Sequence, residues 1–263
     1  MAGAGGAAAQ VRYDAAQLDC AAFAYVQRSD ILTGLAGRER REGVDVAGLW
    51  ALRARPAPGD TIRVEAWFDS LAVRRSTPEG TLAPDTDGII GGRYRGVLTA
   101  DGGYTELARP FVPDGVGEVI DLSRAAADLL PRLPPAPLAV GAAWGDGHGL
   151  EIRRLPDSVA ADTLLRFAVT VTRTADSVTV RGDTAPASAR QSTREEERFV
   201  WHRREGLVRR DRRLVIETVI PPGGRLRHPV QSRVEQRIVV ERPAAFDRPP
   251  TGDCRPSSRD PAR

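Results

Sequence analysis

The stretch Leu165-Arg-Phe-Ala-Val-Thr-Val-Thr172 alternates between large apolar residues and polar or small ones along its whole length. Successive side chains of a β-strand point to opposite faces of the sheet, so a period of two predicts a strand with one buried face. The same period of two runs through residues 61–68 and 234–241. Because the period of two recurs in three segments that are far apart along the chain, we predict a mainly β fold.

Further strands are predicted around residues 21–35, 43–54, 89–100, 103–109, 149–155, 177–183, 193–203, 206–220 and 226–241. Turn-forming residues separate them, notably Pro56-Ala-Pro-Gly59 and Asp101-Gly-Gly103. Short turns between long strands indicate antiparallel neighbours, because parallel strands need long crossover connections. The predicted fold class is therefore mainly β, with long antiparallel strands in one large sheet or two linked curved sheets, and one short helix between the halves.

Residues 121–130 depart from the β pattern because they are rich in alanine and end immediately before Pro131. Asp121 or Ser123 is available as the N-cap of a helix, and Pro131 limits its extension. In such a helix the apolar side chains share one side: Leu122, Ala126, Leu129 and Leu130. We predict a short helix here, followed by a polyproline-like linker over 133–137.

The helix and linker divide the chain into two β-rich halves. The predicted organisation is residues 1–10 as a disordered tail or signal-peptide remnant, 11–115 as the N-terminal half, 116–139 as helix and linker, 140–242 as the C-terminal half and 243–263 as a polar tail. No residue-level repeat relates the two halves, so an internal duplication is left open.

The distribution of charge argues against nucleic acid as a partner. All 38 basic residues are arginines and they accompany 35 acidic residues, which gives a formal net charge of +3. The two signs also stand side by side, as in Arg194-Glu-Glu-Glu-Arg198. Nucleic-acid binding needs positive charge gathered on one face. We interpret the pattern as a solvated face with cross-strand ion pairs.

The first ten residues resemble the small-residue end of a signal peptide, with Ala7-Ala-Ala9 as the cleavage site, and a plain disordered tail is the alternative. The two cysteines, Cys20 and Cys254, are predicted to form a disulfide in an oxidising compartment, and two unrelated thiols are the alternative. We expect a periplasmic or secreted protein whose export signal is incomplete in this sequence. No stretch approaches the roughly 18 apolar residues of a membrane-spanning helix.

The Pro-rich run and its continuation, Leu129-Leu-Pro-Arg-Leu-Pro-Pro-Ala-Pro-Leu-Ala-Val-Gly-Ala-Ala-Trp144, resemble a family of exported bacterial β-rich proteins of unknown function, often lipoproteins. That family has such a run followed by a V-G-D-x-W-type segment, and Ala142 stands here in place of the Asp. Asp101-Gly-Gly-Tyr104 and Trp201-His-Arg-Arg-Glu-Gly-Leu207 are similar to other parts of it. The resemblance implies export and a β-sheet fold, and it transfers no catalytic residue.

Gly145-Asp-Gly-His-Gly149 is the main candidate for chemistry, because Asp146 near His148 could serve as a general base or a metal ligand. Its spacing matches no known metal or nucleophile motif, and glycines in this pattern are typical of a turn or bulge. We therefore predict no catalytic residue, no metal and no cofactor. An enzyme using Asp146 and His148 is kept as a third hypothesis.

The tryptophans provide another candidate site: Trp50, Trp67, Trp144 and Trp201. On one exposed face they would form a binding surface, and otherwise they fill the space between sheet, helix and linker.

Two other functions are favoured over the enzyme hypothesis. The first is a non-enzymatic binding or scaffold protein of the bacterial cell envelope, such as a peripheral subunit of a membrane complex, whose partner is an envelope protein. The alternative is a carrier that holds a hydrophobic ligand such as a lipid in a cavity of curved β-sheet.

Overall fold

The computed structural model describes residues 10–157, 164–180, 187–223 and 226–243. This part of the chain forms one antiparallel sheet and two helices of four residues each, α1 (Ala15–Leu18) and α2 (Asp114–Gly117). The strands are β1 (Ala22–Leu35), β2 (Arg38–Ala57), β3 (Thr61–Thr77), β4 (Gly80–Leu82), β5 (Tyr94–Thr99), β6 (Tyr104–Ala108), β7 (Ala143–Gly145), β8 (Leu150–Leu155), β9 (Leu164–Val180), β10 (Ala187–His202), β11 (Gly206–Ile220) and β12 (Val230–Glu241). The mainly β, antiparallel fold predicted from the alternation is confirmed.

The sheet has the order β6-β5-β3-β2-β1-β12-β11-β10-β9-β8-β7, and β4 pairs with the C-terminal end of β3. Its central pair is β1 with β12, whose register runs from Ala24 opposite Glu241 to Leu35 opposite Val230. Strands β1–β6 come from the predicted N-terminal half and β7–β12 from the C-terminal half. The two halves of the sequence therefore meet in the middle of one continuous sheet.

One face of the sheet carries the core, and we call it the inner face. On β1 this face contains Phe23, Tyr25, Gln27 and Ser29, which are buried, while the residues between them are exposed. Residues 109–142, between β6 and β7, cover part of the inner face, and we call this segment the plug. Its buried apolar side chains join those of the sheet in one core: Val116, Val119, Ile120, Leu122, Ala126, Leu129, Leu130 and Leu133.

The sheet curls around the plug. The Tyr13 N–H donates to the carbonyl of Ala100, directly after β5, at 2.9 Å, and the Tyr13 ring meets that of Trp201 in β10 at 5.0 Å between centroids. Six strand spacings separate β5 from β10, a distance of ~29 Å in a flat sheet. One residue contacts both regions, so the two ends of the sheet must bend toward each other.

Hydrogen bonds from the sheet and the N-terminal segment hold the plug in place. From β3, the Arg75 Nη1 donates to the carbonyl of Glu118 at 3.1 Å. From β11, the Arg210 guanidinium donates to the carbonyl of Asp128. The Tyr13 hydroxyl donates to the carbonyl of Pro131 at 2.9 Å. The plug is thus tied to elements on both sides of the curled sheet.

The helix predicted over residues 121–130 is wrong, because residues 123–130 form successive turns and bends. The short helix between the halves is α2 instead. The apolar side chains that suggested a helix are buried as expected, but the carbonyls of Asp128 and Pro131 accept hydrogen bonds from residues outside the plug. Ten residues make a marginal helix on their own, so tertiary contacts decide the backbone conformation.

Candidate ligand-binding face

The inner face continues beyond the plug along β10, β11, β12 and β1. The register places Ile31 beside Val234, Val234 beside Ile216, and Ile216 beside Thr193. We call this surface the distal inner face. Its side chains are all half-buried: Ile31, Thr33, Gln191, Thr193, Leu214, Ile216, Thr218, Ser232, Val234 and Gln236.

The distal inner face contains no charged side chain, whereas the outer face of the same strands is dense with ion pairs. On that outer face Arg233 lies 2.9 Å from Glu217 and 2.7 Å from Glu235. Arg237 approaches Asp211 to 2.5 Å in the same way. A strand sends alternate residues to opposite faces, so one set of strands presents two chemically different surfaces.

A chain of hydrogen bonds lies where the plug ends and the distal inner face begins. The Tyr25 hydroxyl donates to the Gln27 Oε1 at 2.6 Å, and the Gln27 Nε2 donates to the Ser29 Oγ at 3.2 Å. From β12, the Gln236 Nε2 donates to the same Ser29 Oγ at 3.4 Å. Burial raises the pKa of Tyr25, so its hydroxyl remains a donor at any physiological pH.

Two ion pairs flank this boundary on β10 and β11. Arg210 and Glu197 are 4% and 3% exposed and approach to 2.6 Å. Arg212 lies 2.7 Å from Glu195 and 3.4 Å from the carboxylate of Asp128 in the plug. Burial opposes the charge of Arg212, but the hydrogen bond and charge of Glu195 outweigh it and raise the pKa of Arg212. These charges are therefore engaged with one another and with the plug.

On the opposite flank, Glu42 of β2 accepts from two arginines. The Arg75 Nη2 lies 2.5 Å and the Arg40 Nε 2.6 Å from its carboxylate. The hydrogen bond from Arg75 lowers the pKa of Glu42, with a smaller contribution from Arg40 and opposition from burial. Since Arg75 also holds the plug at Glu118, this flank links the sheet to the plug as well.

The structure places Asp146 and His148 in the turn between β7 and β8. The Asp146 carboxylate accepts from the backbone N–H groups of His148 at 2.7 Å and Leu150 at 3.1 Å. These hydrogen bonds, the one from His148 first, lower the pKa of Asp146, and the side chain of His148 is exposed. The carboxylate is thus engaged in shaping a turn, which is the role expected from the neighbouring glycines.

The four tryptophans do not share an exposed face. Trp50 and Trp201 are buried in the core at 0% and 2% exposure, and Trp144 in β7 is half-buried against it. Trp67 lies on the outer face but is also buried, because the Arg93 guanidinium carbon stacks 3.5 Å from its ring centroid. Their side chains fill packed regions of the protein.

Cys20 is half-buried and packs against Ala51 and Trp67. Cys254 lies outside the described residues, so its disulfide with Cys20 stays a prediction. Thiol titration of denatured, unreduced protein from an oxidising compartment tests it: we expect no titratable thiol, and two thiols per chain would contradict the pairing.

Within the described ranges, no group of three or more His, Cys, Asp or Glu side chains could hold a metal ion. Across the same residues, no helix has both the length and the apolar character needed to cross a membrane.

Sequence reasoning missed the distal inner face, although a signal for it was present. In residues 27–33, Gln-Arg-Ser-Asp-Ile-Leu-Thr, uncharged residues at the odd positions alternate with Arg28 and Asp30. Ordinary amphipathic strands alternate apolar with polar residues. Here the alternation is between uncharged and charged residues, which marks a face that is neither core nor ordinary surface.

No family model matches this chain, and no curated protein matches it. Among solved structures it is similar to lipovitellin, from a structure concerned with lipid–protein interactions, with a TM-score of 0.46 and 10% identity over 89% of this chain and 27% of that one. It is also similar to a DUF1329 family protein from Desulfovibrio piger ATCC 29098, with a TM-score of 0.17 and 10% identity over 84% and 86% of the two chains. This chain therefore spans about a quarter of the lipovitellin chain. Both likenesses are too distant to carry an argument about function.

Proposed function

We propose that this chain is a non-catalytic carrier that binds an apolar ligand, such as the acyl chain of a lipid, on the distal inner face. The observation that carries the proposal is the difference between the two faces of the same four strands. The outer face is dense with paired charges, while the distal inner face has none. A half-buried surface of Ile, Leu, Val and Thr that borders the core offers apolar contacts without a buried charge to desolvate.

The dimensions of this face suit an extended chain. Four neighbouring strands span ~14 Å across, and the six residue steps from Ser29 to Leu35 extend ~20 Å along β1. Each methylene group removed from water there contributes about 0.8 kcal/mol to binding. Ile31 already packs against the core beneath the plug, so a ligand on this face would extend the core rather than occupy a separate pocket.

A carrier of this kind needs no catalytic residue and no cofactor. The proposed location is the periplasm or the exterior of the cell, which rests on the family resemblance and on the signal-like first residues.

Two neighbouring positions on β11 provide a matched test. Ile216 faces the distal inner face and Val215 the outer face, and both are half-buried. We expect Ile216→Asp to weaken binding of the neutral fluorescent probe N-phenyl-1-naphthylamine about tenfold or more, because binding would then bury a carboxylate. Val215→Asp should change it less than about twofold. Circular dichroism establishes that both variants are folded.

The outcome that contradicts the proposal is the absence of saturable probe binding to the wild-type protein. Equal loss of binding in the two variants would also contradict it, because the ligand would then not distinguish the two faces.

A scaffold role has its own supporting observation at the edge strand β6. Leu107 in β6 and Phe111, three residues after its end, are 64% and 78% exposed. Exposed apolar side chains at a sheet edge are typical of protein-binding sites. Recovery of a reproducible companion from solubilised envelopes by the wild type, lost in a Leu107→Ser, Phe111→Ser variant, would favour this role. Identical recovery by the two proteins would count against it.

A further inference from the structure

We propose that the ligand carries an uncharged acceptor oxygen, as in an ester or an alcohol, at the end of its apolar chain, and that the Ser29 hydroxyl donates a hydrogen bond to it. This inference rests on the proposed carrier function and deepens it by naming the chemical class of the ligand. It comes from the direction of the hydrogen-bond chain that ends at Ser29.

Ser29 is the residue at which two hydrogen-bond donors converge. The Gln27 Nε2 and the Gln236 Nε2 both donate to its Oγ, at 3.2 Å and 3.4 Å. A serine hydroxyl has two lone pairs and one hydrogen. With both lone pairs engaged, the hydrogen is the group left to find a partner.

The upstream bond sets the direction of this chain. The Tyr25 hydroxyl donates to the Gln27 Oε1 at 2.6 Å, so the amide nitrogen of Gln27 is turned toward Ser29. Hydrogen bonds in such a chain polarise one another, and the last donor is strengthened by those before it. The chain therefore delivers a polarised O–H group at Ser29.

Among the described residues, the four directly beside Ser29 on the inner face accept no hydrogen bond from its hydroxyl, and Glu42, diagonal to it on β2, already accepts from Arg40 and Arg75. Across the strands Ser29 lies between Gln236, which donates to it, and Val44, which is apolar. Along β1 it lies between Gln27, which donates to it, and Ile31, which is apolar. Ser29 is 7% exposed, and a buried donor without a partner is costly, so an acceptor supplied by a ligand would be favoured there.

The acceptor should be uncharged because the cations near Ser29 are already paired, Arg40 and Arg75 with Glu42. The distal inner face has no charged side chain, and the nearby Arg212 already pairs with Glu195 and Asp128. A carboxylate or phosphate brought beside Ser29 would lose its hydration without gaining a counterion. An ester or hydroxyl oxygen needs only the one hydrogen bond.

The test uses two competitors of equal chain length, methyl dodecanoate and n-tetradecane, each displacing N-phenyl-1-naphthylamine from wild type and variants. We expect Ser29→Ala to weaken binding of the ester about fivefold, or ~1 kcal/mol, because the variant lacks the donor. Binding of the alkane should change less than about twofold. Comparison between variants cancels the difference in water solubility of the two competitors.

Two further variants control for packing. Ser29→Thr keeps the hydroxyl and should retain the preference for the ester, and Ser192→Ala removes a hydroxyl from the outer face of β10 and should change neither competitor. Equal weakening of ester and alkane by Ser29→Ala overturns the inference and leaves the carrier function standing. A wild-type protein that binds neither competitor overturns both.

Discussion

The inner face has a proximal part, which the plug covers, and a distal part beyond the plug. The two parts differ in how far their side chains are buried. Under the plug, Phe23, Trp50 and Phe167 are each 0% exposed. Beyond it, Ile31, Ile216 and Val234 point to the same side of the same sheet and are only half-buried. The strands are longer than the segment that covers them. One part of a sheet face can therefore stabilise the fold while the rest of that face remains available for binding.

The largest expected effect lies in the proximal part. Trp50 packs with ring centroids 3.8 Å from Phe68 and 5.4 Å from Tyr94. We expect Trp50→Ala to lower the free energy of unfolding by about 4 kcal/mol, because it leaves a large cavity in a filled core. Urea denaturation measures this, and a loss below about 1 kcal/mol would show that the core around Trp50 is not tightly packed.

The buried ion pair at the boundary should rank next. Glu197→Ala leaves Arg210 buried without its carboxylate, and we expect a loss of about 3 kcal/mol in the free energy of unfolding. Replacing both residues, Glu197→Leu with Arg210→Met, removes the charges together and should recover most of this loss. If the double variant is no more stable than Glu197→Ala, the pair is not an isolated electrostatic unit and its contacts with Asp128 carry the stability.

A smaller effect is expected in the distal part. Ile216→Ala should lower the free energy of unfolding by about 1 kcal/mol or less, since the side chain is half-exposed and truncation leaves no closed cavity. Urea denaturation beside the Trp50→Ala variant makes the comparison direct. Equal losses in the two variants would mean that the distal part is core rather than a binding surface.

The smallest effect concerns acid stability. The pKa of Glu42 is lowered in the folded protein, so its pairing with Arg75 stabilises the fold above the unfolded pKa of about 4.3 and is lost as the pH falls through the lower folded value. We expect Glu42→Gln to cost about 1 kcal/mol or less at neutral pH and nothing measurable well below pH 4. Unfolding curves over this range test the sign, and a cost that grows toward low pH would contradict it.

The strands were largely predictable because their signal is local. Alternation predicted β1 over 21–35, and the structure has it at Ala22–Leu35. The turn at Pro56-Ala-Pro-Gly59 likewise separates β2 from β3. The prediction of a helix over 121–130 was wrong because the apolar pattern shows only that Leu122 and Leu129 face the core. A series of turns buries these side chains as well as a helix does.

The candidate site was less predictable. The sequence drew attention to the tryptophans and to Asp146 with His148, which are chemically distinctive residues. The distal inner face consists of common residues such as Ile31, Ile216 and Gln236, and Ser29 lies at its border. They become a site because β1 and β12 lie side by side. This pairing brings Ser29 next to Gln236, which is 207 positions later in the sequence. Nothing in either strand alone specifies that pairing.

The sequence by itself determined which side of each strand a residue occupies, because that depends only on the period of two in the chain. It also determined that neighbouring strands run antiparallel, through short turns such as Asp101-Gly-Gly103. Only the tertiary structure decided that β1 pairs with β12, that residues 109–142 cover one part of the inner face, and that the other part stays open. Those outcomes depend on contacts between distant residues, such as Arg210 with the carbonyl of Asp128, which no local pattern encodes.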